Sequence, residues 1–182
     1  MTTILSSIVS AGPSTQPVGS TSMPMFPKNS FTLNASAGYV RGLDKDEADI
    51  GAIEFGANYF IWDNFSLGAE IAGHEISQLG DDAGMLALEA TLRHHFWQCD
   101  DWTIFIDGAF GPSYATRETP QGGTHFNFLS RVGLGATYRL DEHLHLMFGA
   151  RYWHLSNARI EGEDRNPNIN GAEAYVGLMW KL

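Results

Sequence analysis

The sequence predicts an all-β protein, an eight-stranded antiparallel transmembrane β-barrel of the outer-membrane type. Three observations predict it. From residue 30 onward apolar side chains recur at every second position, the period of strands with two unlike faces. The alternating segments number eight, and the connections between them are alternately short and long. The face opposite the apolar one carries Glu54, Glu70, Glu89, Asp107, Arg93, Arg131 and Arg151 interleaved with glycines. That mixture suits a narrow polar lumen better than a surface washed by water.

The segments follow in order. The first, about 30–41, sets Phe31, Leu33, Ala35, Ala37 and Tyr39 against Thr32, Asn34, Ser36 and Gly38. The second, about 50–61, places Ile53, Phe55, Ala57, Tyr59 and Ile61 opposite Glu54, Gly56 and Asn58. The third, about 65–75, opposes Phe65, Leu67, Ala69 and Ile71 to Ser66, Gly68, Glu70 and His74. The fourth, about 84–96, has Leu86, Leu88, Ala90 and Leu92 on one side and Glu89, Thr91 and Arg93 on the other. The fifth, about 102–111, pairs an apolar row of Trp102, Ile104, Ile106 and Phe110 with Thr103, Asp107 and Gly111. The sixth, about 126–140, carries Val132, Leu134, Ala136, Tyr138 and Leu140 against Arg131, Gly133, Gly135, Thr137 and Arg139. The seventh, about 143–156, carries Leu144, Leu146, Phe148, Ala150 and Tyr152 against His145, Met147, Gly149 and Arg151. The eighth, about 172–182, ends the chain with Ala174, Val176, Leu178, Trp180 and Leu182 facing away from Tyr175, Gly177 and Lys181.

A membrane barrel turns its apolar rows toward lipid and its polar rows inward, where acids and bases must pair. Aromatics near the segment ends suit interfacial girdles. The competing architecture is a lipocalin-like soluble barrel with the apolar face inside. It is disfavoured because water-facing positions have no need of so much glycine. Tight turns are expected at 63–64, 98–101 and 141–142, and longer polar loops at 42–49, 77–83, 112–125 and 157–171. In outer-membrane barrels the short turns are periplasmic and the long loops lie outside, so both termini would face the periplasm.

Composition narrows the function classes. The formal net charge of -10 argues against a nucleic-acid partner, since binding a phosphate backbone needs clustered Lys and Arg. One cysteine, Cys99, cannot form an intrachain disulfide. No apolar run reaches the ~20 residues of a spanning helix. Residues 1–29 read as a flexible lead-in or degenerate signal segment, with an apolar run at 4–11 but no preceding Lys or Arg. Residues 30–182 form the barrel.

One stretch is not explained by architecture: Tyr152, Trp153, His154, Leu155, Ser156, Asn157 and Ala158. Strand parity puts His154 and Ser156 together on the lipid face, where an apolar residue would cost least. A histidine beside a serine is the minimum pair for an activated hydroxyl nucleophile. The alternative is two interfacial polar residues satisfied by headgroups and water. The pair stands at the outside end of the strand, level with the outer leaflet and its lipopolysaccharide.

The runs His125-Phe126-Asn127-Phe128, Val132-Gly133-Leu134-Gly135, Arg151 to Ala158, and Asn166-Pro167 resemble the lipid A 3-O-deacylases, also called acyloxyacyl hydrolases of the outer membrane. The resemblance covers roughly the last 60 residues at motif level, with His-x-Ser-Asn its most specific part. It implies a barrel with a Ser-His-Glu hydrolase site on its outer surface, lipopolysaccharide as substrate among outer-membrane lipids, and neither metal nor other cofactor. Carried over, Ser156 is the nucleophile and His154 the general base and acid. Asn157 and Asn166 support the oxyanion or the loop that does. The acid falls on Glu173 or on Asn170, depending on the end from which the loop is counted. Glu173 has the chemistry to orient an imidazole, but parity turns it inward unless a bulge intervenes, whereas Asn170 shares the outer face. Arg159 departs from the family, which usually has a small residue there, and could meet a lipid A phosphate.

Other features read as architecture. His94 and His95 are adjacent in a strand and point to opposite faces, one interfacial and one lumenal. Asp44, Lys45, Asp46, Glu47 and Asp49 make an acidic loop without the ligand spacing of a calcium loop. The leading functional expectation is a serine esterase acting on lipid A. Its rival is a non-enzymatic small barrel with a structural or loop-binding role.

Overall fold

The structure, a computed structural model, describes residues 23–43 and 48–182. The apolar run at 4–11 and Asp44, Lys45, Asp46 and Glu47 of the acidic loop lie outside them. Eight strands form one closed barrel: β1 (Phe31–Gly42), β2 (Asp49–Trp62), β3 (Phe65–Ser77), β4 (Ala83–Cys99), β5 (Trp102–Thr119), β6 (Thr124–Arg139), β7 (Leu144–Ser156) and β8 (Ile169–Lys181). Each strand pairs antiparallel with its sequence neighbours, and β1 closes on β8 from Thr32↔Lys181 to Gly42↔Gly171. Closure leaves no edge, which hydrocarbon would not tolerate, because no water is present there to satisfy open backbone groups.

The apolar rows face outward. Phe55, Leu88, Leu92, Phe110, Leu134 and Val176 are all exposed, whereas Glu54, Glu89, Arg93 and Arg131 are buried. This inversion excludes the lipocalin-like arrangement, which would bury the apolar rows around a ligand. In the lumen the Arg131 guanidinium bonds Glu54, Glu70 and Glu89. Arg151 bonds Glu54 at 3.1 Å and Asp107 at 3.0 Å, and Arg93 reaches Asp107 at 3.0 Å. A buried charge is stable only with such partners.

The interior has layers that period-two patterning does not reveal. At the short-turn end Met25, Phe26, Phe60, Phe105, Met147, Tyr175 and Met179 form an apolar cluster. At the long-loop end Val40, Ile50, Ile76, Leu129, Trp153, Leu155 and Ile169 form another. The ion network lies between these two seals. Part of the lower seal comes from the segment expected to be a flexible lead-in. Phe26 is fully buried, stacked on Phe60 at 5.1 Å between ring centroids and tilted against His95 at 4.4 Å and His145 at 5.0 Å. The Met25 amide donates to Gln98 Oε1 and the Lys28 amide to Asp63 Oδ1, each at 2.8 Å. Residues 23–30 therefore fold under the barrel as its cap.

The loop expected over 112–125 is mostly strand. β5 and β6 run on beyond the lipid-facing rows and leave only 120–123 as the turn. Side chains tie this extension together: Ser113 Oγ donates to Asn127 O at 3.2 Å, and Asn127 Nδ2 to Thr119 O at 2.9 Å. β8 likewise starts at Ile169, three residues earlier than its alternation implied. His94 and His95 divide as parity requires. His94 meets the Phe65 ring edge-on outside, and His95 is buried with Nδ1 2.7 Å from Thr103 Oγ1.

Candidate active site

Three strands deliver the site. At the long-loop end the β6–β7–β8 register aligns Ser130↔His154 and His154↔Asn170 in one cross-strand row, with Phe128↔Ser156 in the next. Alternation turns Tyr152, His154 and Ser156 to the same outer face. On that face His154 Nε2 lies 3.1 Å from Ser156 Oγ. Its Nδ1 lies 2.7 Å from Asn170 Oδ1. The same carbonyl oxygen accepts the Tyr152 hydroxyl at 2.5 Å, and Asn170 Nδ2 donates to Asn168 Oδ1 at 2.9 Å.

This pattern assigns the proton. A carbonyl oxygen only accepts, so His154 Nδ1 must donate to it. In the neutral imidazole Nε2 is then the unprotonated nitrogen, placed to accept the Ser156 hydroxyl. Serine, imidazole and amide thus stand in a chain with its donors and acceptors in matching order.

Glu173 does not join this chain. It is 2% exposed inside the barrel, with Arg151 at 3.7 Å and Arg131 at 3.9 Å. Its partner on β7 is Arg151, in a register that runs without interruption from Leu144↔Trp180 to Leu155↔Ile169. No bulge intervenes to turn it outward. The lumen has made room for it: a Cβ on Gly38 would stand 2.7 Å from Glu173 Oε1. The assignment of Glu173 as the residue orienting His154 is therefore corrected. Asn170, its rival at the sequence level, is the residue in contact with the imidazole.

The two loop asparagines differ. Asn157 is 2% exposed and its side chain is committed to the loop: Nδ2 donates to Arg165 O at 2.6 Å and Thr124 Oγ1 at 3.1 Å, and Oδ1 accepts from the Arg159 amide at 2.9 Å. Asn166 Oδ1 accepts the Asn157 amide at 3.0 Å, and its Nδ2 has no hydrogen-bond partner among the described residues. The turn that follows is tight, with Ala158 at φ 53° and Arg159 at φ 62°. Both lie in the left-handed region that favours glycine. The Asn157 side chain holds this turn closed, which explains why a small residue would suit position 159. The Arg159 side chain is exposed and 3.4 Å from Glu163.

Sequence reasoning missed two members of the arrangement, Tyr152 and Asn168. Tyr152 had the right parity, but an aromatic at a strand end reads equally well as part of the interfacial girdle. Asn168 sits in a loop, where no periodicity marks it.

The site lies beside an aromatic surface. Phe128, across from Ser156, stacks on Phe110 at 5.6 Å between centroids and meets Phe126 edge-on at 5.3 Å. An apolar wall thus adjoins the serine hydroxyl at the level where the strand leaves the lipid-facing rows.

Comparison with solved structures identifies the architecture. The chain is similar to Neisserial surface protein A (NspA), with a TM-score of 0.67, 15% identity, and coverage of 84% of this chain and 97% of that one. It is similar to the outer membrane enzyme PagL, with a TM-score of 0.58, 18% identity, and coverage of 83% and 98%. It is also similar to the outer membrane protein OprG from Pseudomonas aeruginosa, with a TM-score of 0.58, 12% identity, and coverage of 87% and 99%. At these identities the likeness establishes the fold of an outer-membrane barrel. No curated protein sequence matches the chain. The family profile described as Lipid A 3-O-deacylase (PagL) matches residues 53–179, more than half of the chain and all of β7 and the last long loop. The chain therefore belongs to the lipid A 3-O-deacylase (PagL) family.

Proposed function

We propose that this protein is a serine esterase of the bacterial outer membrane that removes an ester-linked acyl chain from lipid A. The observation that carries the reading is the Ser156–His154–Asn170 chain on the outer wall, with its hydrogen-bond polarity running in the productive direction. Family membership supports lipid A as substrate. In this reading the long loops face outside and the cap at 23–30 faces the periplasm.

The chemistry follows from the geometry. Ser156 Oγ attacks the ester carbonyl while His154 Nε2 takes its proton. The tetrahedral intermediate collapses to an acyl-serine. The proton on Nε2 passes to the departing sugar hydroxyl, and water then releases the acyl chain by the reverse sequence of proton transfers. Asn170 holds the ring in the required tautomer through Nδ1–H, but as a neutral amide it stabilises imidazolium less than a carboxylate would. Among the loop asparagines Asn166 has the uncommitted amide donor for the oxyanion, and Asn157 holds the turn. The phenylalanine wall beside Ser156 suits an acyl chain that never leaves the membrane during reaction.

The test is direct. The protein is refolded in detergent micelles and incubated with purified lipopolysaccharide, beside Ser156→Ala. Released fatty acid and the mass of lipid A are followed by mass spectrometry. Loss of one acyl chain with the parent alone is expected. Equal release by both proteins, or none from lipids of several hosts, would overturn the reading, and the second case would leave a non-enzymatic barrel.

A further inference from the structure

An oxyanion donor is effective only if it is fixed before the charge develops. In the proposed reaction that donor is Asn166 Nδ2, and its amide can face one way only. Oδ1 accepts from the Asn157 main-chain N–H at 3.0 Å, a group that cannot accept in return, so Nδ2 is the end left free. Asn166 itself sits in the last long loop, where no strand ladder holds the chain. The residue before it is held from two sides. The Arg165 carbonyl accepts from Asn157 Nδ2 at 2.6 Å, next to the serine. The Arg165 guanidinium reaches the β5–β6 hairpin, where Nη2 donates to Gly123 O at 3.0 Å and to Glu118 Oε1 at 3.1 Å. Its Nη1 donates to Glu161 Oε2 within the loop at 2.8 Å. Among the described residues no other side chain from 158 to 168 hydrogen-bonds that hairpin. The hairpin tip also lies close against the loop: a Cβ added at Gly123 would stand 3.3 Å from Pro167 Cγ.

We propose that Arg165 is a positioning residue that holds Asn166 beside Ser156, by tying the last long loop to the β5–β6 hairpin. The inference rests on the reading of Ser156 as nucleophile and Asn166 as oxyanion donor. Arg165 touches neither Ser156 nor His154 and acts through its neighbour. Each of its ion pairs is half-exposed and would contribute little alone. A planar guanidinium with acceptors on two elements has its direction fixed, which a single pair would not achieve. Its charge is matched by Glu118 and Glu161, so it is not set up to take a phosphate. Loss of the clamp leaves the Asn157–Asn166 bond in place, so the donor shifts rather than departs.

The experiment uses the full chain in detergent micelles with two readouts. One is kcat and KM on lipopolysaccharide. The other is the side-chain amide 15N–1H signals of Asn166, assigned by the pair lost in Asn166→Ala. Arg165→Gln is expected to lower kcat about tenfold, as a small misplacement does, with KM within about twofold of the parent. It should also move the Asn166 signals. Arg165→Lys keeps the charge without the fork and should fall between the two. Glu118→Gln weakens the clamp and leaves the cation in place, so kcat should fall there also. A phosphate-binding Arg165 would instead be freed by Glu118→Gln, and a lower KM with unchanged kcat would overturn the proposal. Arg165→Gln is then repeated in an Asn166→Ala background, where it should change kcat by less than about twofold. A general loosening of the loop would lower kcat by the same factor in both backgrounds. That result, or unmoved Asn166 signals in Arg165→Gln, would also overturn the proposal. Should Asn166→Ala leave kcat unchanged, or no chain release fatty acid, the reading of the site fails. The Asn166 signals then still decide whether Arg165 holds that side chain.

Discussion

The imidazole of His154 on β7 and the side-chain carbonyl of Asn170 on β8 are joined at 2.7 Å across one row of the strand ladder. Their neighbours in sequence, Trp153 and Gly171, face the lumen. The pairing of these two strands thus places a hydrogen-bond acceptor beside the His154 imidazole and commits the next carboxylate, Glu173, to the interior.

That relationship gives opposite outcomes for two substitutions. Asn170→Ala removes the acceptor from Nδ1–H and should lower kcat about a hundredfold, within the range by which a positioned general base contributes. Glu173→Gln exchanges a lumenal carboxylate for an amide and should leave kcat within about twofold of the parent. Steady-state kinetics on lipopolysaccharide with folded variants reads both. A severe loss in the Glu173 variant with little in the Asn170 variant would return the orienting role to Glu173.

Replacing Asn170 by Asp should increase activity at neutral and alkaline pH. A carboxylate beside Nδ1–H favours the imidazolium that forms as Ser156 attacks. Steady-state kinetics on lipopolysaccharide with the folded variant reads the change, and an unchanged kcat would show that residue 170 does not sense the charge that develops on His154.

The lumenal guanidinium of Arg131 is fully buried among Glu54, Glu70 and Glu89. Arg131→Leu should destabilise the barrel by about 3–5 kcal/mol, because it leaves buried carboxylates uncompensated. Reversible urea unfolding in micelles measures this. Joint replacement by Arg131→Leu with Glu54→Gln and Glu89→Gln should recover much of the loss, since the cost lies in unpaired charge.

Phe26 closes the short-turn end, far along the barrel from Ser156. Phe26→Ala should cost about 3–5 kcal/mol as a fully buried aromatic lost from a packed cluster. At temperatures where the variant stays folded, kcat should be unaltered. Unfolding midpoints and single-temperature kinetics separate the two effects. A change in kcat without loss of stability would mean that the cap communicates with the site.

The pair His154 and Ser156 was legible in the sequence because two polar residues at i and i+2 on a lipid-facing row break an otherwise apolar pattern. The third member was narrowed to two residues, Asn170, which parity put on the outer face, and Glu173, because counting along a loop of uncertain length could not choose between them. Asn168 was invisible for the same reason. The apolar seals were hidden because Phe60, Phe105, Met147 and Trp153 occupy the polar parity, and a lumen closed at both ends requires apolar residues there.

The sequence by itself determined the strand number, the closed antiparallel topology and the direction of each face, because these depend on local alternation and on the rule that no backbone group goes unpaired in lipid. The tertiary structure alone decided which β8 side chain meets the imidazole, and therefore whether the orienting group is charged. That choice depends on register between strands joined by a long loop. A shift of one residue exchanges every inward and outward side chain, and only the assembled ladder fixes it.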